Sequence, residues 1–311
     1  MRESKDNMIP IKILDETAPL EAVVLGTAVS LGDVPAEEDT YDPKSLEHVR
    51  AGTYPQETDL IAEMDEVANV LKKYGVEVFR PEIIHDYNQV FSRDIALVID
   101  DVLVVPEITV EREDEVDGIQ FLIDEIRHVV EPKSHERMEG GDVIVWKGNL
   151  FVGYSSNADF SQYKVTRTNE AGVAFLKEHF SNWQVHAFEL KKSDEDPREN
   201  ALHLDCCFQP VGHDKAVIYP GGFKHEKDAR FLIDFFGKEN VFEITREEMY
   251  EMNSNFFSIR PSVVISDSSF HRLNAQFESW GITVEKVKYR EVGKMGGLLR
   301  CTTMPLRRKY E

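Results

Sequence analysis

Cysteine is scarce in this 311-residue chain: there are 3, and two of them, Cys206 and Cys207, are adjacent. That number and spacing exclude a disulfide framework, so any part played by Cys206, Cys207 and Cys301 is played as thiols. Basic residues are also in deficit, 36 Lys and Arg against 57 Asp and Glu, for a formal net charge of −21. A surface of that sign repels polyphosphate and anionic lipid. It removes nucleic acid and membranes from the partners and leaves a small cation as the better fit. Long apolar runs are missing too: the longest, around residues 95–105, is broken by Asp100 and Asp101, far short of the ~20 residues a spanning helix needs. Arg2, Glu3, Lys5 and Asp6 leave no apolar signal segment at the start, and the expectation is a cytoplasmic protein. No glycine-rich dinucleotide fingerprint and no phosphate-loop lysine follows any expected strand. The pairs Gly140-Gly141, Gly221-Gly222 and Gly296-Gly297 lack the spacing, and no cofactor is expected.

What the chain does have is a repeat. Residues 94–107 read as two β-rich apolar runs joined at Asp100-Asp101, followed by a helical stretch over 118–130 with Ile119, Leu122, Ile123, Ile126 and Val129 near helical spacing. The pattern returns at 142–154 with a turn at Lys147-Gly148-Asn149, a helix over 167–180 and a strand over 185–190. It returns again at 203–219 with a turn at Gly212-His213-Asp214, a helix over 228–236 and a strand over 241–244. A last copy starts at Phe257, with a helix over 269–280 and a strand over 283–287. The first copy is less regular: a strand at 22–25, a loop-like acidic stretch over 32–53, a helix over 61–74 and a strand at 76–79. Five units of hairpin, helix and strand cannot each bury an apolar face alone, and closure around an axis would protect such short sheets from exposed edges. The expectation is an α/β protein, one domain over residues 1–311, with 1–19 as an N-terminal extension and repeats over about 20–306. A doubly wound parallel sheet is the competitor, weakened by the missing fingerprint.

Polar residues able to do chemistry gather where the repeats open. Asp94 opens the second copy, Glu139 precedes the third, His203 and Asp205 open the fourth, Asn253 and Asn255 precede the fifth, and Cys301 lies in the closing segment. In a closed array, equivalent strand ends converge on one cavity. Strand alternation would put His203, Asp205 and Cys207 on one face. Such a set could ligate a metal, but no second Cys or His pair supplies a fourth ligand, and no metal is assigned. Cys301 follows Gly296-Gly297, and the nearby cations Arg300, Arg307 and Arg308 would favour its thiolate.

The set Phe91-Ser92-Arg93-Asp94, Glu139-Gly140-Gly141-Asp142, His203-Leu204-Asp205 and Gly296-Gly297 followed by Arg300-Cys301-Thr302-Thr303-Met304-Pro305 resembles the guanidino-group-modifying superfamily. That superfamily holds arginine deiminases, dimethylarginine hydrolases and amidinotransferases. The resemblance covers about residues 20–306. It implies a five-bladed α/β propeller of ββαβ repeats with pseudo-fivefold symmetry, in agreement with the repeat count. It implies Cys301 as nucleophile, His203 as general acid/base, Glu139 as the carboxylate that orients His203, and Asp94 and Asp205 as the grip on the guanidinium. Arg167, in Arg167-Thr168-Asn169, and Arg112 would hold a substrate α-carboxylate.

The chemistry suits these residue types. A guanidinium carbon is a poor electrophile, and attack on it needs a soft nucleophile and tight placement. The expected activity is a deiminase-type hydrolase of arginine or an arginine derivative; the alternative is an amidinotransferase, and a non-catalytic propeller and a metal-binding protein are further options. Against the deiminase pattern, one extra residue lies between Gly297 and Cys301, Lys294 or Met295 stands where an arginine is expected, and no separate helical domain is present. The substrate side chain, the oligomeric state (a homo-oligomer is open) and the role of the acidic segment 37–59 as a lid are not fixed by sequence.

Overall fold

The computed structural model describes residues 8–310; the first seven residues of the expected N-terminal extension lie outside them. Its strands form five separate three-stranded sheets. Each sheet has the same plan, a central strand with an antiparallel partner on one side and a parallel partner on the other. Four are continuous in the chain: Leu97–Ile99, Val102–Val104 and Val129–Val130; Val143–Trp146, Asn149–Tyr154 and Gln184–Glu189; Phe208–Val211, Lys215–Ile218 and Val241–Glu243; Phe257–Arg260, Val263–Asp267 and Thr283–Val287. The fifth joins the two ends of the chain. Leu20–Leu25 pairs with Thr303–Arg308 on one edge and with Glu77–Phe79 on the other. The parallel connections need a crossover, and helices supply it at Glu57–Lys73, Glu170–His179, Glu226–Phe236 and His271–Ser279.

Local chemistry accounts for these boundaries. Lys147 (φ 46°) and Gly148 (φ 82°) form the two-residue left-handed turn that matches strand twist in a hairpin. Asn169 caps Glu170–His179 by accepting from the Gly172 N–H at 2.8 Å, and Thr245 and Glu248 form a capping box on Arg246–Tyr250. The apolar faces meet in three buried clusters centred on residues such as Val264 and Phe277, Ile99 and Val152, and Phe151 and Phe208.

Several expectations are corrected. The helix expected over 118–130 is a single turn, Gln120–Ile123, preceded by a 3-10 run Val110–Ile119; Gly118 weakens helix there, and Val129 belongs to a strand. The stretch 32–53 is not all loop. It holds Glu37–Asp39 and the helix Pro43–Arg50, capped by Asp42 with Pro43 in the first turn, a start signal present in the sequence. His203, Asp205 and Cys207 do not alternate along a strand, because Leu204–Cys206 is a 3-10 turn and the strand begins at Phe208. No helix among the described residues is long and apolar enough to cross a membrane.

Candidate active site

Each sheet delivers one group of polar residues just before its outer antiparallel strand. Asp94 stands three residues before Leu97, Glu139 four before Val143, His203 and Asp205 five and three before Phe208, Asn255 two before Phe257, and Cys301 two before Thr303. These openings are stitched together. The Arg93 N–H donates to the Cys301 carbonyl at 3.0 Å, the Ser92 hydroxyl to the Thr302 carbonyl at 2.9 Å, and the Leu204 N–H to the Asp142 carboxylate at 3.0 Å. The result is a buried constellation: Cys301 is 3% exposed, Asp94 2%, His203 1%, and Glu139 and Asp205 0%.

Within it, His203 Nε2 lies 2.7 Å from Glu139 Oε2, while Nδ1 has no hydrogen-bond partner and stands 3.8 Å from Asp94 Oδ1. Burial disfavours charge on His203, but Asp94, the bond to Glu139 and Asp142 outweigh it and raise the imidazole above its ordinary value. Glu139 is held below the usual carboxylate range: Arg167 and His203 overcome its burial. Cys301 Sγ lies 3.8 Å from Asp205 Oδ2 and accepts a hydrogen bond from Asn255 Nδ2 at 3.2 Å. Burial, then Asp205 and Asp94, push its thiol well above the ordinary value. This corrects the expectation that nearby cations favour the thiolate. Arg300 points away from the sulfur, its Nη1 on Asp205 at 2.8 Å and its Nη2 on Glu16 at 3.0 Å.

The two arginines expected to meet a substrate carboxylate are buried instead against the acids of the site. Arg112 makes a two-bond pair with Glu115 (2.6 and 2.8 Å) and donates to Asp94 Oδ2 at 2.7 Å. Arg167 donates to Glu139 at 3.1 Å and to the Tyr41 carbonyl at 3.0 Å. Neither presents a free pair of N–H groups to a ligand. Glu115 at the i+3 position from Arg112 was legible as a helical-spacing pair; Glu16, ahead of the first repeat, carried no signal. Asp94, Glu139 and His203 offer ligand atoms within 4.8 Å of one another, a grouping different from the His203, Asp205 and Cys207 set considered from sequence. Arg112 Nη1, 3.9 Å from Glu139 as well as bonded to Asp94, already puts positive charge there. The segment that follows Gly32 packs on Arg167. Tyr41 stacks over its guanidinium, Lys164 Nζ donates to the Glu38 carbonyl, and a cavity is lined by Leu31, Tyr41, Asp42, Tyr54 and Asn88.

Five like sheets with a thiol, an imidazole and paired carboxylates buried at their openings define a member of the guanidino-group-modifying superfamily. The family model for N,N dimethylarginine dimethylhydrolase, eukaryotic, matches residues 46–308, and the chain belongs to that family. An uncharacterized protein of Bacillus subtilis, YkgA, is 29% identical over 224 residues, 70% of this chain and 69% of its own length. An arginine deiminase of Streptococcus uberis is 28% identical over 211 residues, which is 58% of this chain and 49% of that deiminase. Among solved structures, inosamine-phosphate amidinotransferase StrB1 from Streptomyces griseus superposes with a TM-score of 0.73 at 16% identity, covering 97% of both chains. The substrate-bound N-terminal domain of ArgZ, an arginine dihydrolase of cyanobacteria, superposes with a TM-score of 0.76 at 16% identity, covering 92% and 98%. At those identities the likeness is one of fold.

Proposed function

We propose that this protein is a thiol-dependent hydrolase of the deiminase type that acts on the guanidinium of arginine or an arginine derivative. The observation that carries the reading is the burial of Cys301 Sγ and the unpartnered His203 Nδ1 against the carboxylates of Asp205 and Asp94. A hydrolase family model over most of the chain and arginine deiminases among its relatives support it. Asp94 and Asp205 grip the planar cation by charge-assisted bonds. Burial first and then the field of these two acids disfavour the thiolate; a bound guanidinium cancels that field and lets Cys301 release its proton to solvent. The thiolate attacks the guanidinium carbon and forms the S–C bond. A C–N bond then breaks, the departing amine takes a proton from His203, and a thiouronium remains on Cys301. Water, giving a proton to His203, adds to the same carbon. The S–C bond breaks, Cys301 leaves as thiolate and takes up the proton of the added hydroxyl, and the water oxygen stays as the carbonyl of a ureido product. Glu139 holds the imidazole in place through Nε2.

Arg112 and Arg167 serve this chemistry from the acids they hold. Arg112 yields its single bond to Asp94 when substrate enters and keeps its pair with Glu115, and the carboxylate role expected from sequence requires both arginines to turn outward. The reading includes the five sheets standing around one axis as a single propeller domain, with residues 37–59 as a lid that must lift. It also includes a cytoplasmic setting, in keeping with three free buried thiols. The test is incubation with a panel of guanidino compounds, with and without amine acceptors, followed by mass analysis of products. A ureido product that disappears in Cys301→Ala is expected; unchanged product from that variant overturns the reading. An amidino group found on an added amine replaces hydrolysis with transfer.

A further inference from the structure

Asn255 is fully buried, and its side chain brings three bonds to the turn that carries the sulfur. Oδ1 accepts from the backbone N–H of Arg300 at 2.9 Å and of Cys301 at 3.1 Å, while Nδ2 donates to Cys301 Sγ at 3.2 Å. The chain around it is fixed on both sides. Met252, in the left-handed region at φ 66°, turns the backbone out of the helix Arg246–Tyr250. The Ser254 hydroxyl donates to the Asp205 carbonyl at 2.9 Å, and Gln209 Nε2 donates to the Phe256 carbonyl at 3.0 Å. A side chain needed only to satisfy the two backbone N–H groups could be any acceptor. An amide adds a donor, and here that donor is aimed at sulfur.

Besides Asn255, the backbone N–H of Leu298 bonds to the sulfur, and no other side chain facing Cys301 supplies a donor. Asp205 and Asp94 are acids, Cys206 is a thiol whose own Sγ donates to Asp205 at 3.7 Å, and the Tyr289 hydroxyl is engaged with Thr302 at 3.1 Å. Arg300 is committed to Asp205, Glu16 and the Val143 carbonyl. Among the described residues, Asn255 is the side chain that donates to Sγ.

We propose that Asn255 is a catalytic residue: its amide N–H aims Sγ at the guanidinium seat and stabilises the sulfur whenever it carries negative charge, before attack and again on departure. This rests on Cys301 being the nucleophile. It places on Asn255 the part that an oxyanion-hole donor plays elsewhere, a fixed dipole directed at charge that develops during reaction. Burial strengthens such a bond, because no water competes for the sulfur.

Two variants separate this role from simple support. Asn255→Asp keeps the acceptor for both backbone N–H groups and replaces the donor with oxygen; Asn255→Ala removes the donor without adding charge. For each folded variant, two readouts are taken: turnover of the best guanidino compound, and the pH dependence of iodoacetamide alkylation on the Cys301 peptide. Expected are a kcat lower by about 100-fold with KM nearly unchanged, and an alkylation midpoint raised by at least about one pH unit in both variants. A lower melting temperature with wild-type kcat and midpoint would reduce Asn255 to a structural cap and overturn the proposal. Should Asn255→Ala not fold, Asn255→Ser, which adds no charge beside the sulfur, takes its place. Absence of wild-type turnover would count against the hydrolase reading, while the alkylation midpoint still judges Asn255.

Discussion

At the scale of single residues, the site is governed by how buried charges are shared. Glu139 serves two cations at once, His203 at 2.7 Å and Arg167 at 3.1 Å. Its carboxylate is one reason the imidazole's value is raised in spite of burial. Replacing it in Glu139→Gln should therefore lower the His203 value, and the limb of the kcat/KM profile that reports His203 should move to lower pH by about one to two units. A limb that stays in place would show that Glu139 does not hold the proton. His203 has a raised value in the folded protein, so its contribution to stability is present below its ordinary value near 6.5 and lost as pH rises through the raised one. Residue types were the most legible part of the site: Asp94, Glu139, His203, Asp205 and Cys301 stand out from the sequence because acids, an imidazole and a thiol recur where strands open. What Arg112 and Arg167 touch was not legible. Their partners are set by packing between segments distant in the chain, and Tyr41, 126 residues from Arg167, gives no local sign.

At the scale of elements, the turns before the outer strands do the positioning, and two glycines separate geometry from chemistry. A Cβ on Gly141, in the turn Gly140–Asp142, would stand 2.7 Å from the His203 ring and 2.9 Å from Asp94 Oδ1. Gly141→Ala must push those two side chains apart, and kcat/KM should fall by about 100-fold. The overpacking costs about 1–3 kcal/mol of stability. Gly148 has open space around its absent Cβ but a φ of 82°; Gly148→Ala should cost about 1 kcal/mol in urea unfolding and leave kcat/KM unchanged. Equal losses of activity in the two variants would mean that Gly141 matters only for folding. Hairpins were readable because Asp100-Asp101, Lys147-Gly148-Asn149 and Gly212-His213-Asp214 are turn chemistry between apolar runs. The openings themselves were not. Leu204–Cys206 lies in a sequence that reads as strand, and distant partners hold it as a turn: Asp142 on the Leu204 N–H, Ser254 on the Asp205 carbonyl and Arg300 on the Asp205 carboxylate.

At the scale of the whole molecule, the two ends of the chain meet in one sheet, and the strand that completes it begins two residues after Cys301. Thr303–Arg308 pairs with Leu20–Leu25, and the N-terminal segment sends in Glu16, 4% exposed, against Arg300, Arg93 and Arg308. Burial works against its charge, but those three guanidinium groups win and bring Glu16 down to about 2. A depressed carboxylate stabilises above its ordinary value near 4.5 and ceases to do so as pH falls towards 2. Glu16→Gln should lose about 3 kcal/mol at pH 7 by urea unfolding, with the deficit shrinking as pH falls towards 3. A deficit independent of pH would place the cost in packing instead. The fivefold repeat was legible because hairpin, helix and strand recur in order. The part of the N-terminal extension before Leu20 was not recognisable as a piece of the site's foundation, since Glu16 belongs to no repeat.

One measurement reaches the central claim directly: acid quench of the enzyme during turnover of a guanidino substrate, followed by the mass of the Cys301 peptide. Attack at the guanidinium carbon with loss of a small amine leaves the rest of the substrate on sulfur, and that adduct, absent from the Cys206-Cys207 peptide, is the expected result. An unmodified Cys301 peptide while ureido product accumulates would contradict the covalent chemistry on which the site's assignment rests.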